Sequence, residues 1–555
     1  MFEIIDKQFK ADNYGIDSYL MNWPMLYILE NGKEAYVGET TNIVQRMSQH
    51  KASGEKQIFT NAHFIHYDKS NQSVTFDYES RLIRFMAADH KFVLTNKNAG
   101  QIGDDYYLKD EYSEEFKNLW RELQKKGLVE KTLEEIEQSD LFKYSPYKEL
   151  SIDQRNLVEE ITESLKRKLE RKIVVKGMPG SGKTILAIYM FKLLRELPEF
   201  NGLEIGFVVP PTSLRATLRQ VFSSVHGLSA KDVLGPSDVA NKKYDILMVD
   251  ESHRLKSRKN LSSYKFFDDV CEKLGLENTC TQLDWILKQS RCAILFYDKN
   301  QVVFPAGLKI DNLINQNPYD TRNVSFYTLE SQMRCLGGID YLQDIEMLLR
   351  GIIKRKIRHE NYELMMINNF LVFESLYRQK EKEFGLTRMV AGYAWEWKSK
   401  NNKKLIDIEI DGVKKRWNTT LDNWVHSTNA VEEVGCIHSI QGYDLNYGFI
   451  IIGNDLRYNP VAKKVYIDKD SYFDKYGKIG SSDEELEEYI KNIYYVLLTR
   501  GIKGTYIYVC DEELRKYMSL FIDVLQDEVH NSYTYSYDQN NNYLMVAEKT
   551  PKYGK

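Results

Sequence analysis

The stretch Gly177-Met178-Pro179-Gly180-Ser181-Gly182-Lys183-Thr184 restricts the fold of this chain more than any other feature of its sequence. It follows an apolar run at 173–175 and precedes a helix-favouring segment at 185–190, which predicts a strand, a glycine-rich turn and a helix in succession. Glycines let backbone N–H groups approach phosphate oxygens, and the start of a helix adds favourable partial charge. Lys183 would neutralise the β- and γ-phosphates of a nucleotide, and the Thr184 hydroxyl would bind Mg²⁺. The alternative is a glycine-rich turn without function, which this context disfavours.

Short apolar runs recur between amphipathic stretches, at 173–175, 206–209, 246–249, 293–296 and 449–452. Such runs are typical of strands that are buried on both faces, and their alternation with helices predicts parallel sheets. The segment from 150 to 530 is long enough for two of these sheets. We therefore expect an α/β fold.

Two carboxylates, Asp250 and Glu251, end the apolar run at 246–249. Asp250 can hold Mg²⁺ through its hydration shell, and Glu251 can act as the general base that activates water. An Asp-Glu pair after an apolar run is often only a solvated strand end. Its position roughly seventy residues after the glycine-rich loop favours the catalytic interpretation.

Composition excludes several classes of protein. The 555 residues contain 76 Lys and Arg against 80 Asp and Glu, a net charge of −4, so contacts with nucleic acid would need local basic grooves instead of a basic coat. Six cysteines without a C-x-x-C pair argue against a disulfide scaffold and a zinc ribbon. The sequence begins without a basic and apolar leader and has no long apolar run, so we expect a soluble, cytoplasmic protein without a membrane partner.

Six segments, in chain order, resemble the motifs of superfamily 1 helicases: 150–154, 250–253, 297–301, 329–335, 437–444 and 496–501. Together with 391–397 and 440–447, they look like the Schlafen-group-3-like bacterial helicase family. The resemblance implies two RecA-like motor lobes that use ATP and Mg²⁺. It assigns contact with adenine to Gln154 and coupling of hydrolysis to movement to Gln301, although both can also be polar helix or loop residues.

The same resemblance places Arg334 and Arg500 against the γ-phosphate, where a planar guanidinium binds two oxygens at once. It also places Gln441 and Gly442 among the nucleotide-binding residues. The remaining members of that set are Gly177, Gly180, Ser181, Gly182, Lys183 and Thr184.

The first hundred residues carry a different pattern. Strand-like runs at 25–29 and 34–38 flank an Asn-Gly pair, which predicts a hairpin. Arg46 and His50 are four residues apart on a predicted helix and therefore share one face. On a later helix, Glu79 is aligned with two apolar residues, so its carboxylate needs a partner such as a metal ion.

These elements, over roughly residues 24–103, resemble the GIY-YIG endonuclease domain. The two triplets that give the family its name would be Met-Leu-Tyr at 25–27 and Tyr-Val-Gly at 36–38. The first triplet lacks the family's glycine and has Leu in place of Ile. The resemblance assigns a divalent ion, Mg²⁺ or Mn²⁺, to Glu79, transfer of the water proton to Tyr27 or Tyr36, and support of the phosphate to Arg46. His50 would assist as a hydrogen-bond partner or base.

Asn96 matches the closing asparagine of that family, with Asn98 as a close competitor. Taken singly, hairpin tyrosines usually pack across strands, and a helix face with Arg and His is usually solvated. A catalytically dead version that only binds nucleic acid also remains open.

We predict a GIY-YIG nuclease-like domain at 1–104, a charged helical connector at 105–149, RecA-like lobes at 150–310 and 311–535, and a C-terminal tail at 536–555. The predicted function is an ATP-dependent helicase or translocase coupled to a metal-dependent endonuclease, in DNA repair, restriction or anti-phage defence. The predicted partner is nucleic acid, and DNA is favoured over RNA. The alternative is an ATP-gated sensor that controls the nuclease without unwinding. Trp395 and Trp397 are either a stacking platform for single strands or core residues.

Overall fold

The computed structural model describes residues 2–11, 14, 22–96, 106–137, 139, 142, 144–146, 150–261, 263–310, 323–330, 332, 335–400, 402–420, 424–440 and 443–525, and strands at 533–536 and 545–548. The chain divides into two compact units. The first contains Met1–Met178, Gly182–Asp298 and Ala306–Ser331, and the second contains Pro179–Ser181, Lys299–Pro305 and Gln332–Lys555.

The amino-terminal part of the first unit is a mixed sheet with two helices. Its strands are β1 (Phe2–Gln8), β2 (Met25–Glu30), β3 (Glu34–Thr40), β4 (Asn61–Tyr67) and β5 (Val93–Leu94), in the order β1-β4-β2-β3-β5. The helices are Ile43–Ala52 and Gln72–Asp89. The predicted hairpin is confirmed, because β2 and β3 pair antiparallel around Gly32, whose φ of 85° favours glycine. Strand β1, which the sequence patterns did not predict, pairs antiparallel with β4.

The charged segment after residue 105 packs on this part of the chain. Its helices are Lys109–Lys125 and Leu133–Glu137. Phe116, Leu119, Trp120 and Leu123 are buried in one hydrophobic cluster with the helix Gln72–Asp89. Val225, which follows a motor helix, joins the same cluster and forms a parallel bridge with Leu94. The expected connector therefore contributes an apolar face to the amino-terminal core.

The first motor sheet is parallel throughout its described pairings. Its strands are β6 (Arg171–Gly177), β7 (Ile205–Val208), β8 (Val233–Leu234), β9 (Tyr244–Val249), β10 (Ser290–Tyr297) and β11 (Val324–Leu329), in the order β11-β6-β10-β9-β7-β8. The accompanying helices are Ile152–Arg167, Lys183–Glu196, Thr212–Ser224, Tyr264–Lys273 and Gln282–Gln289. Because β11 pairs with β6, this sheet extends past residue 310, where we expected the first lobe to end. Cys271 and Cys280 form a disulfide in this layer, which the cysteine spacing had not indicated.

The second unit contains another parallel sheet and several smaller sheets, one of which has both an antiparallel and a parallel pairing. Its strands are β12 (Glu363–Met366), β13 (Thr387–Ala391), β14 (Ile408–Ile410), β15 (Val413–Trp417), β16 (Glu433–Val434), β17 (Leu445–Ile452), β18 (Leu456–Asn459), β19 (Lys464–Ile467), β20 (Gly501–Val509), β21 (Asp523–Val524), β22 (Tyr533–Ser536) and β23 (Met545–Glu548). The main sheet has the order β13-β17-β20-β12-β21. The helices are Gly338–Arg350, Phe370–Phe384, Ile437–Ile440, Lys475–Lys478, Asp483–Leu498 and Glu512–Ser519. Strands β22 and β23 pair with each other, so the expected tail contains regular structure.

The two tryptophans considered for base stacking belong to the core of the second unit. Trp395 and Trp397 are half-buried against it, each with its ring centroid 6.4 Å from that of the buried Trp417. The core interpretation of these residues is therefore the one that the packing supports. Among the helices with described residues, none combines the length and the hydrophobicity that a bilayer span requires.

Candidate functional site

Tyr27, Arg46 and His50 form one cluster in the amino-terminal sheet. Tyr27 is fully buried on β2, and its hydroxyl lies 2.7 Å from His50 Nε2 and accepts a hydrogen bond from Arg46 Nε at 3.2 Å. Gly38 lies directly opposite on β3, and a Cβ there would be 2.3 Å from Tyr27 Cζ. Only glycine at position 38 therefore leaves room for the tyrosine ring in this orientation.

The protonation of this cluster follows from its burial. Burial, with the charges of Arg46 and Lys56, lowers the pKa of His50 to about 4, so its ring is neutral near pH 7. Burial raises the pKa of Tyr27 well above its ordinary value, so the phenol keeps its proton. When the imidazole proton is on Nδ1, the Tyr27 hydroxyl can donate to Nε2.

Tyr36 lies beside this cluster on β3. Its ring centroid is 5.4 Å from that of His50 and 6.2 Å from that of Tyr27. Burial raises the pKa of Tyr36, although the charge of Arg46 opposes this shift. Lys56 Nζ lies 3.4 Å from the centroid of the Tyr36 ring, a cation–π geometry that brings a second positive charge to the site.

Glu79 lies on the helix Gln72–Asp89 near a second carboxylate, that of Glu39 at the end of β3. Burial and the charge of Glu39 raise the pKa of Glu79 to about 7, while the charge of Arg46 and a hydrogen bond from the Glu39 backbone amide lower it. Burial also raises the pKa of Glu39. A divalent cation would relieve the repulsion between the two carboxylates, and carboxylate oxygens are ligands that Mg²⁺ and Mn²⁺ favour. These residues therefore fit such an ion.

Further protein ligands for this ion are scarce. In the part of the chain that the structure describes, no group of three or more His, Cys, Asp and Glu residues could hold a metal ion. Mg²⁺ in proteins commonly keeps several waters and is bound by only one or two carboxylates together with substrate phosphates.

Asn96 acts on the backbone of β3. Its Oδ1 accepts from the Val37 amide at 3.1 Å, and its Nδ2 donates to the Val37 carbonyl at 2.8 Å. The Asn96 side chain is buried, and its two hydrogen bonds hold the backbone of β3 in place between Tyr36 and Gly38. This geometry makes Asn96 a positioning residue, whereas Asn98 lies outside the described residues.

The glycine-rich loop has the backbone that phosphate binding needs. Gly180 and Gly182 have φ values of 81° and 78°, in the left-handed region that glycine favours. Lys183, the first residue of the helix Lys183–Glu196, donates from Nζ to the carbonyl oxygens of Gly177 at 2.7 Å and Met178 at 2.9 Å. The ammonium group therefore lies within the loop that would hold the phosphates.

Thr184 and Asp250 meet as the predicted Mg²⁺ site requires. Thr184 Oγ1 donates to Asp250 Oδ2 at 2.8 Å, and Asp250 is fully buried after β9. Its second oxygen, Oδ1, has no hydrogen-bond partner among the described residues. Burial and the charge of Glu251 raise the pKa of Asp250. Hydroxyl and carboxylate oxygens suit Mg²⁺, which would supply the missing positive charge, so these residues fit the ion.

Glu251 has a restricted geometry next to this pair. Its φ is 49°, which is uncommon for a residue other than glycine and is a feature that concentrates at functional sites. Its Oε2 lies 3.0 Å from Nε2 of His253, a fully buried histidine that we had not included among the site residues. His253 is therefore a close neighbour of the Glu251 carboxylate, although its Nε2 makes no hydrogen bond with the described residues.

Gln154 forms a capping box at the start of the helix Ile152–Arg167. Its backbone amide donates to Ser151 Oγ at 3.3 Å, and its Oε1 accepts from the Ser151 amide at 3.0 Å. This is a helix-capping role, and contact of Gln154 with adenine stays a prediction.

In the second unit, Gln301 and Arg500 are in direct contact. Arg500 Nη2 donates to Gln301 Oε1 at 3.1 Å, and Arg500 Nη1 donates to the Tyr443 carbonyl at 3.4 Å. Both side chains are buried. The contact joins two residues to which the sequence assigned separate roles. The other predicted residues of this region, Arg334, Gln441 and Gly442, lie outside the described residues.

A parallel sheet that ends in this glycine-rich loop and the Asp250-Glu251 pair defines a P-loop nucleotide hydrolase, here joined to a small mixed α/β domain. The family model described as the Schlafen group 3 DNA/RNA helicase domain matches residues 170–511, more than half of the chain. The chain therefore belongs to the Schlafen group 3 helicase family. The GIY-YIG catalytic domain matches residues 24–85, so this enzyme combines an ATPase and helicase domain with an endonuclease domain, as both resemblances indicated.

Individual relatives are distant. The uncharacterized protein YPL245W of Saccharomyces cerevisiae is 22% identical over 424 residues, which cover 66% of this chain and 90% of that protein. A structure of Pif1 helicases at forked double-stranded DNA is 12% identical in sequence and has a TM-score of 0.24. The match covers 65% of this chain and 92% of that chain. A structure of a DEAD box protein from Methanococcus jannaschii is 14% identical in sequence and has a TM-score of 0.25. The match covers 68% of this chain and 98% of that chain. A structure of a DNA replication initiation factor is 14% identical in sequence and has a TM-score of 0.20. The match covers 33% of this chain and about half (49%) of that chain.

No role was predicted from the sequence for three residues of these sites, Glu39, Lys56 and His253, although His253 lies within the helicase-like segment 250–253. A signal existed for Glu39, because residues two apart on a strand share a face, and Val37 and Glu39 therefore both face the helix that carries Glu79. Lys56 follows the Arg46 helix at no regular spacing, so no pattern could connect it with Tyr36.

Proposed function

We propose that this protein is an ATP-driven DNA helicase or translocase that delivers a strand to its own metal-dependent endonuclease. The observation that carries the proposal is the presence, in one compact unit, of the Lys183, Thr184 and Asp250 arrangement and of the Tyr27 cluster beside Glu79. Duplex stacking averages ~1.4 kcal/mol per step, so separating many steps needs a source of free energy. ATP hydrolysis would supply it.

In the ATPase step, loop amides and Lys183 bind the phosphates. Thr184 and Asp250 would hold Mg²⁺, which neutralises phosphate charge when it is bound. Glu251 accepts a proton from the water that attacks the γ-phosphorus, the bond to the β–γ bridging oxygen breaks, and ADP and phosphate result. The left-handed backbone of Glu251, with a φ of 49°, supports this role, because such backbone strain concentrates at functional sites.

Arg500 would stabilise the γ-phosphate during this reaction. Its hydrogen bond to Gln301 supports a coupling role, since the guanidinium must exchange the amide oxygen for phosphate oxygens when it acts. The Gln301 side chain then responds to the state of the nucleotide. This response is how hydrolysis would be transmitted to the nucleic acid.

In the nuclease step, Glu79 would hold a divalent cation that polarises the scissile phosphate when it is bound. Tyr27 takes the proton of the attacking water while its own proton passes to His50 Nε2, and the P–O bond to the leaving nucleotide breaks. The leaving oxygen takes a proton from solvent. Arg46 stabilises the additional negative charge of the transition state. The 2.7 Å contact between Tyr27 and His50 supports the choice of Tyr27 over Tyr36 as the first proton acceptor.

The two activities can be separated by two substitutions in the full chain. Lys183→Ala should abolish ATP hydrolysis, and Glu79→Gln should abolish cleavage while ATP hydrolysis continues. The substrates are duplex, forked and single-stranded DNA and matched RNA, with Mg²⁺ or Mn²⁺, with and without ATP. Exposed residues provide matched controls, Lys168→Ala for the motor and Glu111→Gln for the nuclease. Undiminished cleavage by Glu79→Gln would refute the nuclease part of the proposal, and cleavage of RNA alone would refute the preference for DNA.

A further inference from the structure

The nuclease domain and the first motor lobe each have a hydrophobic cluster of their own within the first compact unit. One cluster includes buried residues of the helix Gln72–Asp89 and is here called the nuclease cluster. The other includes buried residues of the helix Lys183–Glu196 and is called the motor cluster. The described chain crosses from one cluster to the other at two places, and both crossings are short.

The first crossing lies after the charged helical segment. The ring of Phe142 packs against the nuclease cluster, and its centroid is 4.7 Å from that of Phe85. Tyr144, two residues later, is buried in the motor cluster. Because two residues span at most about 7 Å, the two clusters lie next to each other at this point.

The charged segment before this crossing is itself fixed to the nuclease domain. Asp89, at the end of its helix, accepts hydrogen bonds from the backbone amides of Glu130 at 3.1 Å and Lys131 at 2.7 Å. Trp120 is buried in the nuclease cluster and donates from Nε1 to the Lys131 carbonyl at 2.9 Å. The described part of this segment is therefore packed against the domain, unlike a flexible tether.

The second crossing follows the motor helix Thr212–Ser224. Phe222 belongs to the motor cluster, where its ring centroid lies 5.3 Å from that of Phe191. Val225, three residues later, is buried in the nuclease cluster and forms a parallel bridge with Leu94 of β5. A residue of the motor lobe thereby continues the nuclease sheet.

Leu94 connects this bridge to the catalytic part of the nuclease sheet. It also pairs with Ala35 of β3. Asn96, two residues after Leu94, holds the Val37 backbone of the same strand by two hydrogen bonds. Leu94 therefore lies directly between Val225 of the motor lobe and the strand that Asn96 positions.

We propose that the two crossings fix the nuclease on the first motor lobe, so that it cuts a strand at a fixed distance from the point where the motor holds that strand. An apolar interface with two attachments opposes the relative motion that domains otherwise show. The inference rests on the proposed function and adds a cutting distance to it.

The expected precision can be compared with that of a tethered nuclease. A flexible chain as long as the segment 105–149 has a root-mean-square end-to-end distance of roughly 35–40 Å, and one nucleotide of a DNA strand spans about 3.4 Å. Cuts by a tethered nuclease would therefore spread over roughly ten nucleotides. Packed protein moves by only about 1–1.5 Å, less than the length of one nucleotide.

The test maps the cuts on DNA that stops the motor at a known place. A protein attached covalently to one strand of a forked duplex, or to the other, serves as the block, and a denaturing gel gives the distance from block to cut in the presence of ATP. Cuts by the wild type should fall within roughly two nucleotides of one position. When the block is moved along the duplex, the cuts should move by the same number of base pairs.

Two substitutions in the full chain release both crossings. Val225→Asp places a carboxylate in the nuclease cluster, and Phe142→Ala removes the ring that stacks on Phe85. The double variant should hydrolyse ATP and cleave to the same total extent as the wild type, but its cuts should spread over roughly ten nucleotides. The matched control, Val461→Asp with Phe473→Ala, makes the same changes at exposed positions and should cut as the wild type does. Circular dichroism confirms that each variant is folded.

Three results would overturn the inference and leave the proposed function intact. The first is a spread of the wild-type cuts over roughly ten nucleotides, which decides the matter even when the double variant does not fold. The second is a folded double variant that still cuts at one position, and the third is a wild-type cut that stays in place when the block moves. Absence of cleavage or of ATP hydrolysis by the wild type would refute the proposed function itself.

Discussion

Gly38→Ala tests the packing that places Tyr27 in the nuclease site. The added methyl group would lie 2.3 Å from both Cζ and the hydroxyl oxygen of Tyr27, where ordinary contacts are 3.4–4 Å. The buried ring must therefore move by at least about 1 Å, which is enough to break its 2.7 Å contact with His50. Overpacking costs about 1–3 kcal/mol, and each lost hydrogen bond about 1 kcal/mol. Alanine also restricts the unfolded chain, which offsets about 0.5–1 kcal/mol, so the net loss of stability is about 1–3.5 kcal/mol.

Hydrogen exchange of the full chain measures this loss locally. Amides of the β2–β3 hairpin should exchange roughly 5- to 400-fold faster in Gly38→Ala, and DNA cleavage should fall by at least about 100-fold because the proton acceptor is displaced. Gly54→Ala is the matched control, since a Cβ at Gly54 would have nothing within 4 Å. Equal exchange and equal cleavage by the two variants would refute the packing of Tyr27 described here.

Three further predictions concern the same sites. Burial and Glu39 raise the pKa of Glu79 to about 7 from 4.5, so the stability that its protonation adds is present below pH 4.5 and is lost as the pH rises through 7. Glu79→Gln should remove this pH dependence, on the order of 3 kcal/mol, from urea denaturation in metal-free buffer, and it should also remove the increase in Tm that Mn²⁺ gives the wild type at pH 8. Asn96→Ala leaves two polar groups of Val37 unpaired and should cost about 2–4 kcal/mol in the same denaturation experiment. Arg500→Ala should lower kcat for ATP hydrolysis by about 10³-fold or more, and wild-type turnover would exclude its role.

Features that depend on neighbouring residues were predictable from the sequence. The loop from Gly177 to Thr184 follows a buried strand and precedes a helix, as its spacing predicted, because backbone conformation there is set locally by glycine and by the flanking apolar runs. The β2–β3 hairpin follows from its Asn-Gly turn for the same reason. The helix that carries Glu79 also buries the two apolar residues aligned with it, Ile83 and Met86.

Features that depend on distant residues were not predictable. Gln301 and Arg500 are 199 positions apart, and no local pattern indicates that they share a hydrogen bond. The pairing of β1 with β4 and the burial of Trp120 depend likewise on which surfaces meet in the folded chain. The role of Trp395 and Trp397 was not predictable for the same reason, because aromatic residues suit a stacking surface and a core equally well until their neighbours are known.

Strand displacement tests the central proposal most directly. A forked DNA duplex with a fluorophore and a quencher on its two strands reports separation by wild-type protein, by Lys183→Ala and by Glu79→Gln in the presence of ATP. The helicase account predicts that the wild type and Glu79→Gln release the strand, and that Lys183→Ala does not. ATP hydrolysis stimulated by DNA without any strand release by Glu79→Gln would contradict it.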